Sequence, residues 1–185
     1  MRNTADPGLL VLVVGPSGAG KDTLIDAARA ALADDAGVVF PRREIDRPAD
    51  AGGEIHDPVD AEAFAIKEAA GGYALAWRAH GHCYGLDAGI RDLVADGRRV
   101  VVNVSRSAIG QAEADFPKVR VISVVVDPDA LRQRLLARGR ESAAEVDARL
   151  ERAGAYEVRA GELIEVANDG PLDEAVAAFV AAIRR

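Results

Sequence analysis

A three-layer α/β fold with a mainly parallel central sheet is predicted by three observations along the 185 residues. Short runs rich in β-branched residues alternate with stretches of helical periodicity, the pattern of strands joined by crossover helices. The first of these runs ends in a glycine-rich loop that opens a helix, as phosphate-binding folds require. Hydrophobic residues make up 49% of the chain but aromatics only 4%, so the core must be built from Val, Leu, Ile and Ala.

The elements follow in order. Leu9 to Val14 is a strand buried on both faces, ended by Gly15-Pro16. From Lys21 a helix places Leu24, Ile25, Ala28, Ala31 and Leu32 at helical spacing before the breaker Gly37. Val38 to Phe40 reads as a second strand, and Arg42 to Pro58, broken by Pro48 and Pro58, as a loop-rich excursion. Helices are expected over Ala61 to Ala70 and Leu86 to Asp96, and buried strands over Arg99 to Val104 and Val119 to Val126. Pro128 opens a helix carrying Leu131, Leu135 and Leu136 on one side, with Gly139 as a break. An arginine-bearing helix from Ala143 to Arg159, a last strand from Leu163 to Ala167 and a closing helix from Leu172 to Arg184 complete the chain. Residues 1–185 are expected to form one domain, with a substrate lobe at about 42–85 and a helical lid at about 134–152.

Charge and composition exclude several classes. The formal net charge of −7 opposes a nucleic-acid backbone or an anionic membrane, and no apolar run approaches the roughly 20 residues needed to span a bilayer. Cys83 is the single thiol and allows no internal disulfide; Met1 to Gly8 lacks the pattern of a secretory leader, so a cytoplasmic location is expected. A homodimer is allowed, although nothing in the composition requires one.

The strongest motif is Gly15-Pro16-Ser17-Gly18-Ala19-Gly20-Lys21-Asp22-Thr23, a Walker A loop between the first strand and first helix. Its backbone N–H groups are expected to curl around a β-phosphate while Lys21 reaches the β and γ oxygens, which makes this a P-loop NTPase fold with ATP as the expected donor. Asp22 stands where Ser or Thr normally offers a hydroxyl to Mg²⁺, and Thr23 comes one place late. A helical step turns a side chain by about 100°, so Asp22 rather than Thr23 is the expected metal ligand. The strand Arg99 to Val104 ends without the acid of a Walker B strand and offers Asn103 and Ser105 instead.

GPSGAGKD, the arginine-bearing segments and the ending Val166-Ala167-Asn168-Asp169-Gly170 resemble the guanylate-kinase-like nucleoside monophosphate kinases over nearly the whole chain. Within that superfamily, the stretches Asp46 to Glu54, Ala76 to Gly85 and Val101 to Arg106 are most similar to the ribose 1,5-bisphosphate phosphokinase branch. The resemblance implies ATP and ribose 1,5-bisphosphate as substrates, Mg²⁺ as cofactor and 5-phosphoribosyl 1-diphosphate plus ADP as products. It implies Arg47 and Tyr84 as phosphate contacts, Glu54 in the same acceptor lobe, and Asn168 beside the adenine. It also implies a lid at Leu135 to Ser142, with Arg138 and Arg140 closing over ATP and Arg149 reaching in from the next helix.

Where guanylate kinases keep a guanine-reading carboxylate, this chain has Leu75 and Ala76, which argues for an acceptor without a base. The family's second lobe arginine falls near Asp50, and Cys83 stands where a tyrosine often precedes Tyr84; Arg43 and Arg106 are therefore added as acceptor candidates. His80, His82 and Cys83 lack the ligand set of a structural zinc site, and Trp77 is read as core. Other readings are a nucleoside monophosphate kinase of relaxed base choice, a catalytically silent phosphoprotein-binding module, and a regulatory NTPase. The intact Lys21 loop argues against the silent module.

Overall fold

The computed structural model describes residues 8–48, 55–137, 139, 142–154 and 157–185, with the side chains of 149 and 152–154 left out. Strand β1 (Leu9–Val14) lies at the centre of a parallel five-stranded sheet, flanked by β7 (Arg99–Asn103) and β8 (Val119–Val125), with β2 (Val38–Val39) and β9 (Leu163–Ala167) at the edges. The alternation of side chains along β1 divides the core. Leu10, Leu12 and Val14 face α3 (Ile90–Ala95) and α4 (Ile109–Asp115), while Leu9, Val11 and Val13 face α1 (Lys21–Ala31) and α7 (Leu172–Arg184). Both faces are covered, so β1 is an uninterrupted apolar run rather than an alternating one.

A second, four-stranded sheet rises from the edge of the first: β4 (Asp57–Pro58), β3 (Glu44–Ile45), β6 (His82–Asp87) and β5 (Tyr73–Ala79) in spatial order, backed by α2 (Ala61–Ala69). The loop-rich excursion thus contains two short strands, and the following residues form an antiparallel hairpin that the sequence reading lacks. His80 and Gly81 turn it with φ of 52° and 79°, the conformation of a tight two-residue hairpin turn. The helix expected from Leu86 begins only at Ile90, because Leu86, Ile90 and Val94 share helical spacing although Leu86 belongs to β6. Asp87 marks the true boundary, accepting hydrogen bonds from the Gly89 amide at 2.9 Å and Lys67 Nζ at 2.9 Å.

Helices α5 (Pro128–Ala137) and α6 (Ala143–Gly154) pack on each other through Leu131, Leu135 and Val146. The last helix before β9 therefore ends at Gly154, short of the expected Arg159, and α4 after Asn103 is an element the sequence reading omitted. No described helix is long and apolar enough to cross a membrane.

Candidate active site

The loop between β1 and α1 is shaped by contacts that only glycine permits. A Cβ at Gly15 would lie 2.6 Å from the Val124 carbonyl oxygen, and one at Gly20, where φ is +87°, would lie 2.5 Å from the Asn168 amide nitrogen. Lys21 Nζ donates to the Gly15 and Pro16 carbonyls at 2.9 and 3.0 Å, so the ammonium sits over the loop at the N-terminus of α1. Ser17 is exposed on the crown, Ala19 is buried beneath it, and Gly18 approaches Leu131 and Leu135 of α5. The loop, the helix dipole and the cation converge, which is the arrangement that holds a polyphosphate.

At the first turn of α1, Asp22 and Thr23 are both exposed, but the structure joins only Asp22 to the opposite strand end: Asn103 Nδ2 donates to Asp22 Oδ1 at 3.0 Å. Mg²⁺ is ordinarily held by one or two carboxylates together with substrate phosphates and water, so a single carboxylate at the mouth of a phosphate loop fits it. Among the described residues no group of three or more His, Cys, Asp or Glu could cage a metal alone.

A cleft beside Asp22 is lined by Asp22, Arg29, Arg42, Arg43 and Asn103, linking the loop to the second sheet. Arg43 is buried at 8% exposure, its guanidinium 5.4 Å from the Tyr84 ring centre and 6.0 Å from that of Trp77. Burial pushes its pKa down to about 10, aided by the neighbouring Arg47 charge and opposed by Asp22 and Tyr84. Arg47 keeps Nε and Nη2 buried without a hydrogen-bond partner, and its carbonyl lies 2.9 Å from His56 Nε2. Arg43, Arg47, Tyr84, Asn103 and Asp22 are therefore one neighbourhood. Arg106 lines a different cleft, of about 390 Å³, with Gly15, Pro16, Ser123 and Leu131, while Ser105 precedes it as a half-buried residue. Glu54, Arg138 and Arg140 lie outside the described residues, as does the side chain of Arg149 on α6.

Asn168 is buried at 6% exposure with its side-chain amide committed to the loop, Nδ2 donating to the Ala19 carbonyl at 2.7 Å. Its own carbonyl accepts from Arg134 Nη2 at 2.7 Å, and Asp169 Oδ1 accepts from the Asp127 amide at 2.7 Å. The turn after β9 thus ties the phosphate loop to the start and body of α5. Arg134 carries this link unforeseen, since in sequence it is one of several helix arginines; its reach to Asn168 spans 34 residues.

A second carboxylate cluster stiffens the small sheet. Lys67 Nζ donates to Glu44 at 2.6 Å and Asp87 at 2.9 Å, Tyr73 donates to Glu44 at 2.7 Å, and Arg78 pairs with Glu68. Burial pushes the Asp46 carboxyl up, but hydrogen bonds from the Cys83 amide and from His82 outweigh it and hold the group below its ordinary value.

No family model matches the chain. Among solved structures it is similar to guanylate kinase from Anaplasma phagocytophilum, with a TM-score of 0.66 at 16% identity, covering 96% of this chain and 85% of that one. It is also similar to a gluconokinase from Sinorhizobium meliloti 1021, with a TM-score of 0.52 at 21% identity, covering 97% and 93%. These likenesses establish a guanylate-kinase-like P-loop kinase fold. Sequence relatives lie much nearer. The chain is 46% identical over 178 residues to ribose 1,5-bisphosphate phosphokinase PhnN of Methylobacterium radiotolerans, covering 96% of this chain and 98% of that protein. It is 45% identical over 165 residues to the protein of the same name from Desulfomicrobium baculatum, covering 89% and 88%. Over 176 residues it is 43% identical to a bifunctional ribose 1,5-bisphosphokinase-thymidine phosphorylase of Azorhizobium caulinodans, covering 95% of this chain and 25% of that protein. Identity of this depth over almost the whole length, on a fold whose glycine loop faces a guanidinium-lined lobe, makes this chain a member of the ribose 1,5-bisphosphate phosphokinase family of kinases.

Proposed function

We infer that the protein transfers the γ-phosphoryl group of ATP to the anomeric phosphate of ribose 1,5-bisphosphate, yielding 5-phosphoribosyl 1-diphosphate and ADP. The observation that carries this reading is the acceptor lobe: buried Arg43 over the Tyr84 ring and the unpaired edge of Arg47 make a cationic wall, and β5 in the same lobe carries Leu75 and Ala76 in place of a base-reading carboxylate. Such a wall grips anions and leaves the N–H edge of a purine unpaired, at a cost of about 1–3 kcal/mol per group.

The lobe at about 42–85 holds the acceptor and the helical pair at about 134–152 acts as the lid. An oxygen of the 1-phosphate, anionic near neutral pH, attacks the γ-phosphorus; that P–O bond forms as the bond to the β,γ-bridging oxygen breaks, and ADP departs with the electron pair. No general base is needed. Lys21 and the loop amides stabilise charge on the β and γ oxygens, while Arg43 and Arg47 offset repulsion between the two anions. Mg²⁺, when bound at Asp22, supplies further neutralisation of the triphosphate. Asn168 keeps the loop in shape beside the nucleotide, Tyr84 and Asn103 complete the phosphate site, and Glu54 belongs to the acceptor side of the same lobe. Ser105 and Arg106 border the transfer zone from the other cleft. Arg138, Arg140 and Arg149 close over the donor and exclude water.

Phosphorus NMR of ATP, Mg²⁺ and ribose 1,5-bisphosphate with the purified protein tests the reading. New anomeric diphosphate resonances are expected; preferential phosphorylation of GMP would overturn it.

A further inference from the structure

Trp77 belongs to the buried core cluster shared by the two sheets. It sits on β5 in register with Tyr84, its ring stacked on that of Tyr84 at 5.5 Å and 8°, and it is 5% exposed. Strand alternation puts it on the same face as the fully buried Leu75 and opposite the partly exposed Ala76. Arg43 lies over both stacked rings, and Arg47 is close enough to Arg43 for their charges to interact.

Among the described residues, the buried side-chain nitrogens and oxygens without a hydrogen-bond partner are Arg47 Nε, Arg47 Nη2 and Trp77 Nε1. Buried indole N–H groups normally find an acceptor, and leaving one unpaired costs roughly 1–3 kcal/mol. Phenylalanine would serve a purely apolar stack without that cost. The Nε and Nη2 edge of an arginine presents two parallel N–H bonds, the geometry that takes two oxygens of one phosphate. All three orphaned groups are donors, gathered around a cation, and none can accept.

We propose that Trp77 is a specificity-determining residue of the acceptor site, donating Nε1–H to the non-reacting phosphate of the sugar bisphosphate beside the Nε and Nη2 edge of Arg47. This rests on the acceptor reading given above. A donor-only floor completes the coordination of a phosphate, which is rich in lone pairs. It also rejects a nucleobase edge, whose own N–H groups would meet guanidinium and indole donors that accept nothing.

Trp77 is the only tryptophan in the chain, so the protein's tryptophan emission reports on this position alone. Titrating the native protein with ribose 1,5-bisphosphate without ATP is expected to give a saturable emission change, and ATP alone none. Trp77→Phe keeps the ring stack and removes only the donor. Its KM for ribose 1,5-bisphosphate is expected to rise roughly tenfold, with kcat and the KM for ATP within about twofold of native. An unchanged acceptor KM overturns the proposal whatever the emission does. Should the variant fail to fold, the native titration decides: a saturable change supports the proposal and a flat one overturns it. Absence of sugar-bisphosphate phosphorylation by the unaltered protein instead overturns the acceptor reading itself.

Discussion

Asp22 is the residue at which this P-loop departs from the common motif, and the structure gives the departure a partner. Asn103, standing where a Walker B acid would be, donates to Asp22 Oδ1 at 3.0 Å, so a carboxylate on α1 faces the strand end that lacks one. Asp22→Ser is expected to raise the Mg²⁺ concentration for half-maximal activity about tenfold or more while leaving the unfolding midpoint nearly unchanged; metal titrations beside thermal melts check both. The rotation that separates Asp22 from Thr23 was legible in sequence, because a helical step fixes it. The Asn103 contact was not, since it joins residues 81 apart. Gly20 offers a second residue-level test. Gly20→Ala should destabilise the fold and raise the KM for ATP several-fold, because φ of +87° is strained for alanine and the added Cβ meets Asn168 at 2.5 Å. Denaturant unfolding with and without ATP measures the two effects.

At the scale of elements, the turn after β9 acts as a brace. Asn-Asp-Gly in sequence suggests either a simple turn or an adenine contact; the structure buries Asn168 against Ala19 and ties its carbonyl to Arg134 of α5. Asn168→Ala leaves the buried Ala19 carbonyl without that donor and is expected to lower unfolding free energy by about 1–3 kcal/mol, read from urea denaturation. It should also raise the KM for ATP, since the loop loses its floor. The proposed lid is tested separately. If Arg138 closes over the donor as proposed, Arg138→Ala should reduce turnover at least tenfold with little change in melting temperature. The β5–β6 hairpin shows why elements were harder to read than residues. Its strands are defined by partners across a two-residue turn, whereas the local spacing of Leu86, Ile90 and Val94 is that of a helix.

For the whole molecule, the ion pairs between α2 and the small sheet contribute a pH-dependent part of the stability. Asp87 is held below its ordinary value of 3.8 first by Lys67 and then by the Gly89 amide, and Glu68 below 4.5 chiefly by Arg78. A depressed carboxylate contributes stability that is present above its unfolded pKa and lost as pH falls through the folded one. Lys67, raised above 10.5 first by Glu44 and then by Asp87, contributes below that value and loses it as pH rises through the higher folded pKa. Urea midpoints are therefore expected to stay level from about pH 5 to pH 10 as far as these groups decide, and to fall below about pH 4. Asp87→Asn should flatten the acid limb.

The glycine loop, the central strands and the helices α1 and α7 on one face of the main sheet were written in local patterns, because strand burial, helical periodicity and backbone reach to a phosphate are properties of consecutive residues. The small sheet, the brace through Asn168 and the gathering of Arg43, Arg47, Trp77 and Tyr84 required the folded chain. These depend on contacts between distant segments, where burial strips water from a donor and leaves its pairing to whatever the tertiary arrangement brings near. A tryptophan reads as core from its hydrophobic bulk; only the three-dimensional arrangement revealed that its N–H is left without a partner.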